Sequence, residues 1–196
     1  PAANLYDASL ETAYSAANYR QLLSAALGED AAPLSLTLLV NQENSFKVSA
    51  AQEVAYTLSA DDLTVTVEAL PWEQFLQRLT DGEFDLYYGE CRLTADWDVS
   101  ALAKTNGALN YGGYSSERTD ALLAACRTAD ESRRSAALTS LWEELLAKAP
   151  ITPLCFKSDS VVTTTGLVEG LTATETDPFF SLEQWVVHLN SPAKTK

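Results

Sequence analysis

The sequence has no methionine and a single histidine, His188. A Ser-His-Asp mechanism needs its histidine beside a nucleophile and an orienting acid, and "WVVHLN" near the C-terminus offers neither. No GxSxG elbow, P-loop, GxGxxG or HExxH occurs; "YGGY" reads as a flexible turn. Cysteine is scarce: Cys91, Cys126 and Cys155 are the only three. An odd count cannot complete a disulfide framework, and the spacings match no zinc pattern. Cys126, on an expected helix face, and Cys155, in an expected strand, read as small buried hydrophobes. No apolar run reaches the roughly 18 residues of a membrane span, and no stretch reads as a signal peptide. Lysine and arginine total 13 against 27 acidic residues, giving a net charge of −14. Nucleic-acid binding needs a basic patch that displaces phosphate counterions, so this segment is not expected to bind nucleic acid.

What is present is ordinary for a folded chain. Hydrophobic residues make up 46% and charged residues 20% of 196 positions, enough for one core, or for one domain with a dependent appendage. "PAANLYD" opens without a start methionine and reads as an internal junction, so the chain is expected to be a piece of a longer polypeptide.

Periodicity predicts a helix over Glu11–Gly28, with Tyr19, Leu22, Leu23 and Ala26 on one face. "LSLTLLV" from Leu34 reads as a strand and "NQENS" as a polar break. A second helix is expected over Val48–Ala60, with Ala51, Val54, Ala55 and Leu58 in its stripe, then a strand over Leu63–Ala69. Pro71 fits the first turn of a third helix, whose stripe is Trp72, Phe75, Leu76 and Leu79. "FDLYYG" follows as a third strand. The β-α-β-α-β order from Leu34 to Gly89 implies parallel pairs joined by right-handed crossovers, with ligands expected beyond the carboxyl ends of the strands. Farther on come a short helix in "DVSALAK", a Gly/Asn-rich loop, and a helix in "SERTDALLAACRTA" turning Leu122, Leu123 and Cys126 inward. The next helix, "DESRRSAALTSLWEELLAKA", buries Leu138, Leu141, Trp142 and Leu145 and ends at Pro150. "ITPLCFKS", "SVVTTTGLV" and part of "SLEQWVVHLN" read as strands.

Polar groups crowd the end of the third strand: "GECRLTADWD" carries Glu90, Arg92, Asp96, Trp97 and Asp98. "DWDVSA" has the DxD start of a calcium loop but lacks its glycine and terminal glutamate, so no metal site is expected. Asp98 reads as a helix cap and Asp96 as a turn residue. Glu90 and Asp96 also form a nominal acid/base pair, without a nucleophile or metal set to complete an enzyme.

The order of landmarks is more specific than any one of them. It runs "LTLLVN", "LPWEQFLQRLTDGEFDLYYGE", "ADWDVSAL", "NYGGYSSERTDALLAAC", "ADESRRSAALTSLWEELLAKAPITPLCFKS", "VVTTTGLVEGL" and "DPFFSLEQWVV". In this order the chain resembles the C-terminal half of the family 5 extracellular solute-binding proteins, the oligopeptide, dipeptide and nickel receptors of ABC importers. The resemblance covers nearly the whole chain. It implies an α/β, periplasmic-binding-protein-like lobe, a mixed sheet with helices on both faces, as a fragment of a two-lobed clamp. Residues 1–33 would enter lobe II, 34–158 would form it, and 159–196 would return toward lobe I.

The implied function is ligand binding by hinge closure, for peptides or a related small solute, with no catalysis and no cofactor. The implied partner is an ABC-transporter permease. The implied setting is extracellular or periplasmic, with membrane attachment only through a lipid anchor elsewhere in the polypeptide. In peptide-binding relatives "G-W-x-x-D" ends the third strand, and its aspartate holds the peptide α-ammonium. Here Gly89 is kept, Glu90 stands at the tryptophan position, and no aspartate falls at that spacing. Glu90 or Asp96 would take the ammonium, or the ligand is not a peptide. Arg92 either meets a ligand carboxylate or phosphate or neutralises Glu90 or Asp96. Trp97 either stacks on a ligand or packs under the short helix. Asn110, Tyr111 and Tyr114 are expected to line the same cleft. A second function fits the sequence as well: a solute-sensing domain of a cytoplasmic transcriptional regulator, where thiols stay reduced.

Overall fold

In the computed structural model the described residues are Leu10, 16–28, 32–60, 62–94, 96–156, 160–174 and 177–189. The chain divides into two compact units, Pro1–Ile151 and Thr152–Lys196.

The first unit is built on three strands, β1 (Leu34–Asn41), β2 (Leu63–Leu70) and β3 (Leu86–Tyr88), in the order β2-β1-β3. Both pairings are parallel, and β1 and β2 run in register from Leu34↔Leu63 to Asn41↔Leu70. Side chains alternate along β1 and divide the core in two. Leu38 and Val40 pack with Leu63, Val65, Ala51 and Ala55 on one face. Leu39 packs with Phe75 and Leu79 on the other. Helix α2 (Ser45–Leu58) thus covers the first face and α3 (Trp72–Asp81) the second, which bears out the expected α/β architecture with helices on both faces. The first crossover leads from central β1 to β2 and the second from β2 past β1 to β3, with α2 and α3 on opposite faces. In open parallel sheets of this kind ligands sit beyond the carboxyl edge.

The helices begin and end where local chemistry allows. Asn44 caps α2, its side chain accepting the Lys47 N–H at 3.1 Å. Helix α3 starts one residue later than expected, with Pro71 as its N-cap, and ends at Gly82 in the left-handed region (φ 70°). Its buried stripe is narrower than the expected one. Phe75 and Leu79 are buried, whereas Trp72 and Leu76 are exposed, because only the former pair faces Leu39. Helix α1 (Ala16–Leu27) forms within the expected helix, whose residues 11–15 lie outside the described ones. It docks through Tyr19 and Leu23 on the α2 face, with the Tyr19 hydroxyl donating to Leu58 O at 2.5 Å.

A helical layer follows: α4 (Ser100–Ala103), α5 (Glu117–Thr128) and α6 (Glu131–Lys148). Val99, Ala103, Leu123, Leu141 and Leu145 form its core, with Leu122, Cys126 and Trp142 against it. Leu138, also expected on the buried face of α6, is buried too. The Glu144 carboxylate is buried here and meets the Arg118 guanidinium at 2.8 Å. Asp98 lies one position ahead of the formal cap of α4, yet its carboxylate accepts the Ser100 N–H at 2.8 Å.

The second unit departs from the expected strands. Among its described residues the only pairing is antiparallel, between β4 (Val168–Glu169) and β5 (Val186–Val187). "ITPLC" and "VVTTTG" remain irregular. Strand propensity without a neighbour to pair with leaves the backbone groups nothing to bond, and Pro153 cannot donate to a ladder. Cys155, expected to be buried, is exposed, as is Cys91.

Candidate ligand-binding site

The carboxyl edge of the sheet gathers three chain segments: the turn after β1, the start of α3 after β2, and "GECRLT" after β3. Backbone and side-chain bonds join the first two. Gln42 N–H donates to Leu70 O at 2.9 Å, and the Trp72 N–H donates to the Glu43 carboxylate at 3.0 Å. The buried Asn41 side chain donates to the other Glu43 oxygen. The Trp72 N–H, foremost among these contacts, holds the Glu43 carboxyl below the usual carboxylate range.

The third segment joins through an ion pair. Glu90 continues the alternation that turns Leu86 and Tyr88 toward α2, and its carboxylate lies 2.7 Å from the Lys47 ammonium in the first turn of α2. Gly89 falls on the opposite face, where an added Cβ would stand 3.0 Å from the Tyr87 ring. Beside this pair the Cys91 thiol is pushed up, by burial first and then by the Glu90 charge.

The other acids of the stretch turn away from the strand end. Asp96 is bound by the Thr94 side chain, chiefly, and also feels Arg134 of α6; together they hold its carboxyl below the usual range. Asp98 caps α4, and its charge acts on Cys126 in α5. Trp97 takes the left-handed conformation (φ 60°) in the turn closed by its N–H to Thr94 O at 2.9 Å. Arg92 is exposed and forms no ion pair among the described residues.

The loop between α4 and α5 supplies the remaining candidates. Asn110 is occupied inside the loop. Its amide donates to Lys104 O at 3.0 Å and Tyr114 O at 2.7 Å, and its oxygen accepts the Tyr114 N–H at 3.0 Å. The Tyr114 hydroxyl lies 2.8 Å from Thr119 Oγ1. Tyr111 packs edge-on against Tyr87 at 6.0 Å, on the α3 face of the sheet. The Tyr87 hydroxyl is pushed above its ordinary pKa by burial, and then by Tyr111 and Cys91. Seven candidate side chains from two sequence stretches thus fall into an ion-paired strand end, a turn folded toward the helical layer, and a self-bonded loop.

Sequence reasoning missed Lys47 and Glu43. For Lys47 a signal exists. It sits three residues past the Asn44 cap, where the helix dipole favours a carboxylate and disfavours a cation. A lysine there marks a nearby acid.

No family model matches the sequence, and no curated protein is significantly similar to it. Solved structures do match. The oligopeptide-binding protein AppA of Bacillus subtilis, in complex with a nonapeptide, matches over 94% of this chain and 40% of its own, at 16% identity and TM-score 0.67. The chain has the fold of one part of these binding proteins. The Escherichia coli murein tripeptide binding protein MppA matches over 76% of this chain and 32% of its own, at 21% identity and TM-score 0.61. NikZ of Campylobacter jejuni, in complex with Ni(L-His), matches over 70% and 31%, at 18% identity and TM-score 0.58. The chain spans less than half the length of each of these three relatives. AppA and MppA are named as binding proteins, for oligopeptides and a murein tripeptide.

Proposed function

We propose that this chain is the ligand-binding lobe of a solute-binding receptor of an ABC importer, taking peptides or a related small solute. One observation carries the reading. The same fold recurs across 94% of the chain in a protein that holds a nonapeptide. The convergence of three chain segments at the carboxyl edge of the β2-β1-β3 sheet supports it. Residues 34–158 act as lobe II, 1–33 lead into it, and 159–196 return to a first lobe supplied by further chain. The ligand is enclosed when the lobes close about a hinge, so each lobe alone binds weakly because it covers one side of the ligand only. The receptor works outside the cytoplasmic membrane and delivers to a permease.

The test is mass spectrometry of small molecules released on denaturing the full-length polypeptide, purified without added ligand. Short peptides are the expected result. A single defined non-peptide compound replaces the peptide with that solute, and a protein that releases nothing and takes up no peptide in calorimetry overturns the reading.

A further inference from the structure

At the end of β3, the acid of "GECRLTADWD" that stays by the sheet edge, Glu90, already has a cation, and Glu43 across the edge is engaged by the Trp72 N–H and Asn41. Lys47 and Glu90 meet at 2.7 Å, with the lysine side chain only 19% exposed and the glutamate 50%. The pair is therefore held more from the lysine side than from solvent, which argues against a loose surface contact. Lysine at this helix position is unfavourable by itself, so removing Glu90 leaves a largely covered lysine side chain without its counter-charge. A ligand ammonium that took Glu90 would have to do this. The two aspartates farther along are also engaged, Asp96 with Thr94 and Arg134, Asp98 with the Ser100 N–H. Among the described residues, the cation of this stretch, Arg92, forms no ion pair and is exposed.

We propose that Lys47 determines ligand specificity at this site: by pairing with Glu90 it withdraws the acid from ligand recognition, and Arg92 instead takes a ligand carboxylate. The inference rests on the binding-lobe reading and deepens it, naming a solute that carries a carboxylate and needs no free ammonium. The guanidinium suits this role because its planar fork donates two parallel hydrogen bonds to a carboxylate.

The test is calorimetry on the full-length polypeptide with three probes: trialanine, its N-acetylated form and its C-terminal amide. N-acetylation is expected to change Kd less than about threefold, and amidation to weaken binding by about tenfold or more, the scale of one lost charge-assisted pair. Lys47→Gln frees Glu90, and the free-ammonium probe is then expected to bind about tenfold tighter than the acetylated one. Should thermal melting show that this variant does not fold, Arg92→Gln, at an exposed position, carries the test: the penalty for amidation must disappear. Persistence of that penalty overturns the inference. Loss of binding on acetylation, with amidation tolerated, also overturns it while leaving the binding lobe intact. Failure of all three probes to bind overturns the peptide-type reading and the inference with it.

Discussion

The Glu43 carboxylate accepts the backbone N–H of Trp72 at 3.0 Å, so a side chain from the turn after β1 closes the first turn of a helix that follows β2. Helix α3 has Pro71 at its N-cap and no side-chain cap of its own; Glu43 supplies from elsewhere the acceptor that such a helix start lacks. Glu43→Ala is expected to lower the melting temperature and to raise hydrogen exchange at the start of α3. Glu43→Gln, which keeps an acceptor, should be milder.

Acid stability follows from the same contact. The folded protein holds Glu43, Asp96, Asp120 and Asp130 below the ordinary carboxylate range. The leading causes are, in turn, the Trp72 N–H, the Thr94 side chain, the Thr105 N–H and the Arg133 side chain. A depressed folded pKa contributes stability above the unfolded value and loses it as pH falls through the folded one. Melting temperature should therefore hold at neutral pH and drop as pH falls below about 4. In Glu43→Gln the drop should be shallower. An unchanged melting temperature down to about pH 2 would contradict this linkage.

Gly107 has no room for a side chain. A Cβ there would lie 2.6 Å from the carbonyl oxygens of both Ser100 and Ala101, and the Leu109 N–H also bonds Ala101 O at 2.8 Å. Gly107→Ala must push α4 from the loop, at a cost of about 1–3 kcal/mol. Thermal unfolding should show a fall of roughly 2–4 °C for each kcal/mol.

Asn110 pins its loop with three hydrogen bonds. Asn110→Ala is expected to cost about 1–3 kcal/mol through the acceptors and donor left behind. Faster exchange of the Tyr114 N–H is the local readout. Asn110→Asp keeps the acceptor for that N–H and should protect it better than alanine does.

Core packing gives a calibration. Leu39 is fully buried between β1 and α3, so Leu39→Ala should cost about 2–5 kcal/mol. Leu76→Ala, on the exposed flank of α3, should stay within about 0.5 kcal/mol. Chemical denaturation of the pair measures the contrast.

Local pattern determined much of this protein. The alternation in "LTLLV" and "LTVTVEA" placed β1 and β2, since side chains two apart must share a face. Helical spacing located α2, α5 and α6, and the residues of "GECRLTADWD" announced an unusual strand end. What the sequence could not decide was who meets whom. Asp96 and Asp98 stand beside Glu90 in the chain yet fold toward α6 and α5. Lys47, forty-three positions earlier, comes to 2.7 Å from Glu90. That partner is set by the register of β1 against β3, which brings the start of α2 to the end of β3. The same dependence explains the missing strands. "VVTTTG" has every local reason to extend, but a strand exists only where another backbone offers its hydrogen bonds, and that is a property of the fold.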